Sequence, residues 1–384
     1  MVIIDDIKSG TGFLEGSITV DGRKQVLAFG SQLELSDNSA EALLLLALPA
    51  AMRRGGPLIM EAACSPRLLK QIPAIQDIYH CWDPGLRLVE VIAPARQVSA
   101  KPLQSSQVRE SVAFTAGVDS FYSALKTADA SLVFIHGLDI PLANLDLRRR
   151  VSKKLTWAAS ELNRPLLEME TNLRRFSDRY FTWHLAFGGA LSACALLLSR
   201  YFDVFGIPAG QTLESLQPDG AHPVLNPLFS TEDVVIQTVG CEARRIEKVG
   251  AIAAHPVVQS SLHVCWENRG NAYNCGICEK CLRTMAALEI FGTLPAFSTF
   301  EVPLNYGRLS RAVAANPSRA RFIEENLEVA RNRNASPELV KSLEKSLRPW
   351  RTRLFGTLQN RVPRIFNDWA YRIFHHRRRG RKSC

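Results

Sequence analysis

The chain has 384 residues, 46% of them hydrophobic and 22% charged, which suits a globular protein of two or three units with a sizeable core. The net charge of +10 is local: residues 341–384 carry thirteen Lys and Arg against Glu344 and Asp368, so a charge argument for nucleic-acid binding applies to that tail alone. Nine scattered cysteines do not form a secreted disulfide framework, and the longest apolar runs, 42–52 and 190–198, fall short of the ~20 residues a membrane span needs.

The start, MVIIDDIKSG, lacks a basic stretch followed by an apolar one, so a cytoplasmic protein is expected. Residues 1–105 read as a small α+β unit. Strands at 17–20 and 25–29 flank Asp21-Gly22, a hairpin signal. A helix is expected over 40–53, closed by Gly55-Gly56, then a strand at 58–62, a helix at 65–79 and a strand at 86–92. Residues 94–107 read as a linker.

From Glu110 the pattern changes. Strands at 111–114, 132–135, 166–170 and 203–207 alternate with helices at 121–126, 146–162 and 185–200. That alternation predicts an α/β unit over 106–300, a parallel sheet with helices on both faces that binds ligands at the carboxyl ends of its strands. A helical, basic extension over 301–384 follows.

The first strand runs into Thr115-Ala116-Gly117-Val118-Asp119-Ser120 and then a helix. Small side chains let backbone amides approach an anion, and a helix N-terminus adds unpaired donors and a favourable dipole. Thr115 and Ser120 add hydroxyls, while Asp119 would hold Mg²⁺ or bond the loop's own amides. The alternative is an ordinary helix start after a buried strand. His136-Gly137-Leu138-Asp139 follows the second strand, where Asp139 is placed to bind ribose hydroxyls or to cap a turn. Gly206-Ile207-Pro208-Ala209-Gly210 ends another strand and either lines a pocket or forms a plain turn. His184 reads as a core or capping residue.

Cys265, Cys275, Cys278 and Cys281 form a C-x9-C-x2-C-x2-C cluster suited to Zn²⁺ or an iron–sulfur centre, with Zn²⁺ favoured because all four ligands are present. Lys280 and Arg283 would offset thiolate charge, and a helix over 282–291 would be pinned by the metal. Cys64, Cys81, Cys194 and Cys241 lack ligand spacing.

The loop resembles the S-G-G-x-D-S loop of PP-loop ATP pyrophosphatases, with Thr115 for Ser and Ala116 for Gly. Ala116 suits that loop only at negative φ. Together with Cys275-Gly276, Cys278, Cys281 and Arg283, the chain is similar to 7-cyano-7-deazaguanine synthases and their relatives over about residues 108–292. Pro227-Leu228 and Thr231 match a further family stretch, with Glu232 where that family has Lys. The resemblance implies a PP-loop fold binding ATP and Mg²⁺, with structural Zn²⁺. Residues 115–120, His136, Gly137 and Asp139 would hold the nucleotide, and Asp119 and Ser120 would serve catalysis. It implies an ATP-dependent ligase that adenylates a carboxylate or carbonyl on a small-molecule substrate and releases pyrophosphate. An RNA-thiolating enzyme and a non-catalytic nucleotide-binding module stand as alternatives. The tail offers contact with an anionic membrane or RNA, against a helical pair packed on the body, and a homo-oligomer is left open.

Overall fold

The computed structural model describes residues 1–98, 108–312 and 317–351. Most of the expected linker and all of the tail beyond 351 therefore lie outside the described residues, and with them the membrane and RNA contacts expected of that tail.

The chain opens with an antiparallel meander of β1 (Val2–Gly10), β2 (Phe13–Val20) and β3 (Arg23–Gly30). Asp21 and Gly22 both take positive φ, 49° and 78°, the backbone a two-residue hairpin turn needs. α1 (Ser39–Arg54) stops at Gly55 in the left-handed conformation. β4 (Leu58–Met60), α2 (Pro66–Trp82) and a short β5 (Val91–Ile92) complete this part.

The alternating region follows as β6 (Glu110–Ala113), α3 (Val118–Lys126), β7 (Ser131–His136), α4 (Leu145–Glu161) and β8 (Leu166–Thr171). Then come α5 (Arg174–Tyr180), α6 (Trp183–Leu197), β9 (Val204–Pro208) and β10 (Val235–Val239). The chain closes with α7 (Arg245–Ile252), α8 (Pro256–Ser261), α9 (Glu279–Ile290), α10 (Tyr306–Leu309), α11 (Pro317–Asn332) and α12 (Pro337–Arg351). None of the described helices is long and apolar enough to cross a membrane.

All ten strands form one mostly parallel sheet in the order β10-β9-β6-β7-β8-β3-β2-β1-β4-β5. The meander joins the parallel part where Phe29 and Gly30 of β3 pair antiparallel with Thr171 and Glu170 of β8. α1 packs against α6, so one apolar core runs beneath both parts. Neighbouring strand residues take opposite faces. Ala113 and Ile135 enter the core with α1, α2, α5 and α6, while Val112 and Phe134 enter a second core with α3, α4, α7, α9, α11 and α12. The expected α/β sheet covered on both faces is present.

β6 lies between β9 and β7, with β8 beyond β7 and β10 beyond β9. The chain leaves β6 toward β7 and β8, then returns to the other side for β9 and β10. Such a reversal opens a crevice outside the strands' carboxyl ends, and the loop after β6 stands there.

Candidate functional site

The loop at residues 115–117 is short and tied from within. The Thr115 amide donates to Ser120 Oγ at 3.3 Å, and that hydroxyl donates to the Gly117 carbonyl at 3.1 Å. Ser120 therefore closes the loop instead of presenting a free donor. Gly117 starts α3 with no side-chain cap, which leaves first-turn amides at the crevice. Ala116 is buried at φ 55°, the reverse of the negative φ its residue type favours. Its carbonyl accepts from the His263 amide at 2.8 Å, and that bond holds the turn in place. A non-glycine residue there costs about 1–2 kcal/mol.

Asp119 turns to two cations rather than to the loop amides. Arg245 Nη1 pairs with its Oδ2, and Lys248 Nζ lies 3.8 Å from Oδ1. α3 packs on α7, which brings both cations over the loop. Burial alone would raise the Asp119 carboxyl. Arg245, Lys248 and Lys280 outweigh it and hold the group below its ordinary value. Lys248 is itself buried, donates to the Ala209 carbonyl at 2.6 Å, and is pushed down by burial. Asp119 Oδ1 is buried without a hydrogen bond. Asp219 stands within electrostatic reach of Asp119, with its Oδ2 3.5 Å from His184 Nδ1; burial raises its carboxyl.

Neither Arg245 nor Lys248 was singled out from the sequence. Their one signal is a pair of cations three residues apart, hence on one helical face, within a charged run from Glu242 to Lys248. Which carboxylate they meet depends on the fold.

His136 sits at the end of β7, but its ring is already engaged. Nε2 lies 3.2 Å from Glu168 Oε1, and Arg148 Nε approaches Nδ1 at 3.4 Å. Gly137 has φ 91°, and a Cβ there would lie 2.0 Å from the Thr171 carbonyl, so only glycine fits. Asp139 is exposed at the sheet edge, within electrostatic reach of His263 and Lys280. Glu232 turns from the crevice: its carboxylate accepts from the Arg67 amide and lies 3.5 Å from Arg96 Nη2.

The four cysteines come together as their spacing predicts. Their sulfurs all lie within 4.8 Å of one another, and Cys265 Sγ is 3.9 Å from Cys278 Sγ. Tetrahedral Zn–S bonds of about 2.3 Å require sulfurs about 3.8 Å apart, so the group fits a metal ion of the zinc type. Backbone amides support the sulfurs: Asn268 donates to Cys265 Sγ, Cys278 to Cys275 Sγ and Cys281 to Cys278 Sγ at 3.3–3.4 Å. Gly276 turns the knuckle at φ 63°, with Val302 where a Cβ would be. Cys278 caps α9.

One segment joins the two features. His263 bonds the loop at residues 115–117 through Ala116, and two residues later Cys265 is a thiol of the cluster. Asn274 Oδ1 accepts from Val264 and Cys265, locking that segment against the knuckle. His263 is fully enclosed, and its Nε2 has no hydrogen bond.

The described residues thus define an α/β protein with a cation-lined loop at the sheet's switch point, braced by a four-cysteine cluster. No family model, curated protein or solved structure matches the chain.

Proposed function

We propose that the chain is an ATP-dependent ligase of the PP-loop kind, with zinc held by Cys265, Cys275, Cys278 and Cys281. The observation that carries this reading is the set of cations at the start of α3. Arg245, Lys248 and Lys280 gather around Asp119 beside uncapped helix amides, with Asp139 and Asp219 within electrostatic reach. That gathering of cations and free amides in a low-dielectric crevice suits a polyphosphate.

In the reaction, a carboxylate or carbonyl oxygen of the substrate attacks the α-phosphorus. The bond to the bridging oxygen breaks, and pyrophosphate leaves with that bond's electron pair. Arg245 and Lys248 would take up the charge developing on pyrophosphate. Asp119 Oδ1, which accepts no hydrogen bond, would hold the Mg²⁺ that accompanies ATP once Lys248 turns to the phosphates. The cluster fixes the start of α9 and so positions Lys280. No side chain at the crevice is needed as a covalent nucleophile.

A non-catalytic nucleotide-binding module is the second reading. It is favoured by Asp119 being neutralised by two cations and by the strained Ala116. The two readings separate in one experiment. ATP binding is titrated, and AMP and pyrophosphate are followed across a panel of small carboxylates with ammonia present to attack the acyl adenylate and release AMP, for wild type, Asp119→Ala and Lys248→Met. The ligase gives stoichiometric AMP and pyrophosphate, reduced about a hundredfold or more in both variants. Binding without release supports the module. Absence of ATP binding by the wild type removes both readings.

A further inference from the structure

A second cluster of cations lies behind Arg245, between α7, α9 and α11. The cleft there is narrow and open to solvent, and is lined by Arg245, Val249, Arg283, Thr284, Phe322 and Asn326. Phe322 belongs to α11, outside the stretch that resembles any PP-loop enzyme. Its ring carries two guanidinium groups, Arg283 at 4.3 Å and Arg245 at 5.6 Å from the centroid.

Arg283 is the unusual member. Its side chain is only 10% exposed, yet Nε and Nη1 have no hydrogen-bond partner. Glu279 Oε1 stands 3.4 Å from Nε without hydrogen-bond geometry and is itself unbonded. Arg319 reaches the same glutamate at 3.9 Å. A buried guanidinium with idle donors is costly unless something accepts from it. Arg245, Arg283 and Arg319 gather around Glu279 and the shared Asp119, with Glu325 of α11 within electrostatic reach of Arg245.

We propose that this cleft is a binding site for an oxyanion, the carboxylate or phosphate group of a small ligand. The fork of Arg283 would take two of its oxygens, with Arg245 beside it and Phe322 fixing both planes. The inference does not rest on ATP cleavage: it concerns donors on α9 and a wall on α11, apart from the loop amides.

Two measurements test it on the full, metal-loaded chain. Crystals soaked in selenate should show an anomalous peak within hydrogen-bond reach of Arg283 Nε and Nη1. A peak confined to residues 115–120, or none in the cleft, overturns the proposal. In solution, inorganic phosphate and malonate are titrated separately by calorimetry. At least one should bind saturably, weakened about tenfold or more in Arg283→Gln and in the charge-conserving Arg283→Lys, which lacks the fork. The tighter probe identifies the ligand's acid group. Equal affinities in wild type and both variants, or no saturable binding of either probe, sink it. ATP titration of the same variants reads the loop independently, so either site can fail while the other stands.

Discussion

Ala116 occupies a backbone conformation that glycine adopts without penalty, and the bond from His263 keeps it there. Ala116→Gly removes the Cβ clash but adds freedom to the unfolded chain. The two terms leave a net gain of about 0.5 kcal/mol or more. A rise in the urea midpoint at unchanged slope checks it; a fall would show that the buried methyl packs better than the backbone is strained. Asp119 makes the opposite kind of prediction. Asp119→Asn leaves Arg245 and Lys248 without their counter-charge, which should cost about 3 kcal/mol near neutral pH. The sign with pH follows from the carboxyl lying below its ordinary value in the fold. Its stabilisation is full above the unfolded value of about 4 and is lost as pH falls through the folded one. Denaturation midpoints of wild type and variant should therefore begin to converge as the pH falls below about 4 and meet only once it is below the folded value. A gap that persists there would mean the carboxylate's charge is not what matters.

At the scale of elements, α9 is where the two halves of the site depend on each other. Cys278 caps it, Cys281 lies in its first turn, and Lys280 and Arg283 project from the same turns. α7 and α11 pack on α9, so releasing its start loosens every cation at the crevice. A chelator strong enough to strip zinc should lower the thermal midpoint by 10 °C or more, roughly the effect of losing several kcal/mol. Metal analysis should return one zinc per chain, with sulfur-only ligation at about 2.3 Å by X-ray absorption. A chain that purifies without metal and melts identically with chelator would dismiss the cluster as a brace. The spacing of the four cysteines was enough to foresee it: local backbone brings Cys275, Cys278 and Cys281 together, and Cys265 is near enough in the chain to reach them. α7 was not foreseen: its two cations matter only because α3 packs against it.

For the whole molecule, the N-terminal meander is continuous with the parallel sheet. α6 is buried nearly all round, with α1 on one side and the sheet on the other. Deleting residues 1–98 would expose that helix and the β8 edge together. A chain beginning at residue 108 should therefore be insoluble or bind a hydrophobic dye strongly. A soluble fragment with an unchanged near-ultraviolet spectrum would show instead that the alternating region folds alone. The hairpin at Asp21-Gly22, α1 with its Gly55 stop, and the strands that became β6 to β9 were all legible, since turn residues and buried apolar runs are local signals. β1 was not: its apolar Val2, Ile3 and Ile4 give way to Asp5 and Asp6, where the register shifts. β5 is shorter than the alternation at 86–92 suggests, because only Val91 and Ile92 find a partner, on β4.

By itself the sequence determined the alternation of strand and helix, a small-residue loop ahead of a helix, and four thiols spaced to converge. Each follows from contacts within a few residues. The tertiary structure alone decided that β6 stands at the reversal of the strand order and that Asp119 meets Arg245 and Lys248. It also decided that His136 is taken by Glu168 and Arg148, and that α11 walls a second cationic cleft. Those pairings join residues some 10 to more than 100 positions apart, and long-range charge contacts leave no periodic trace in a chain.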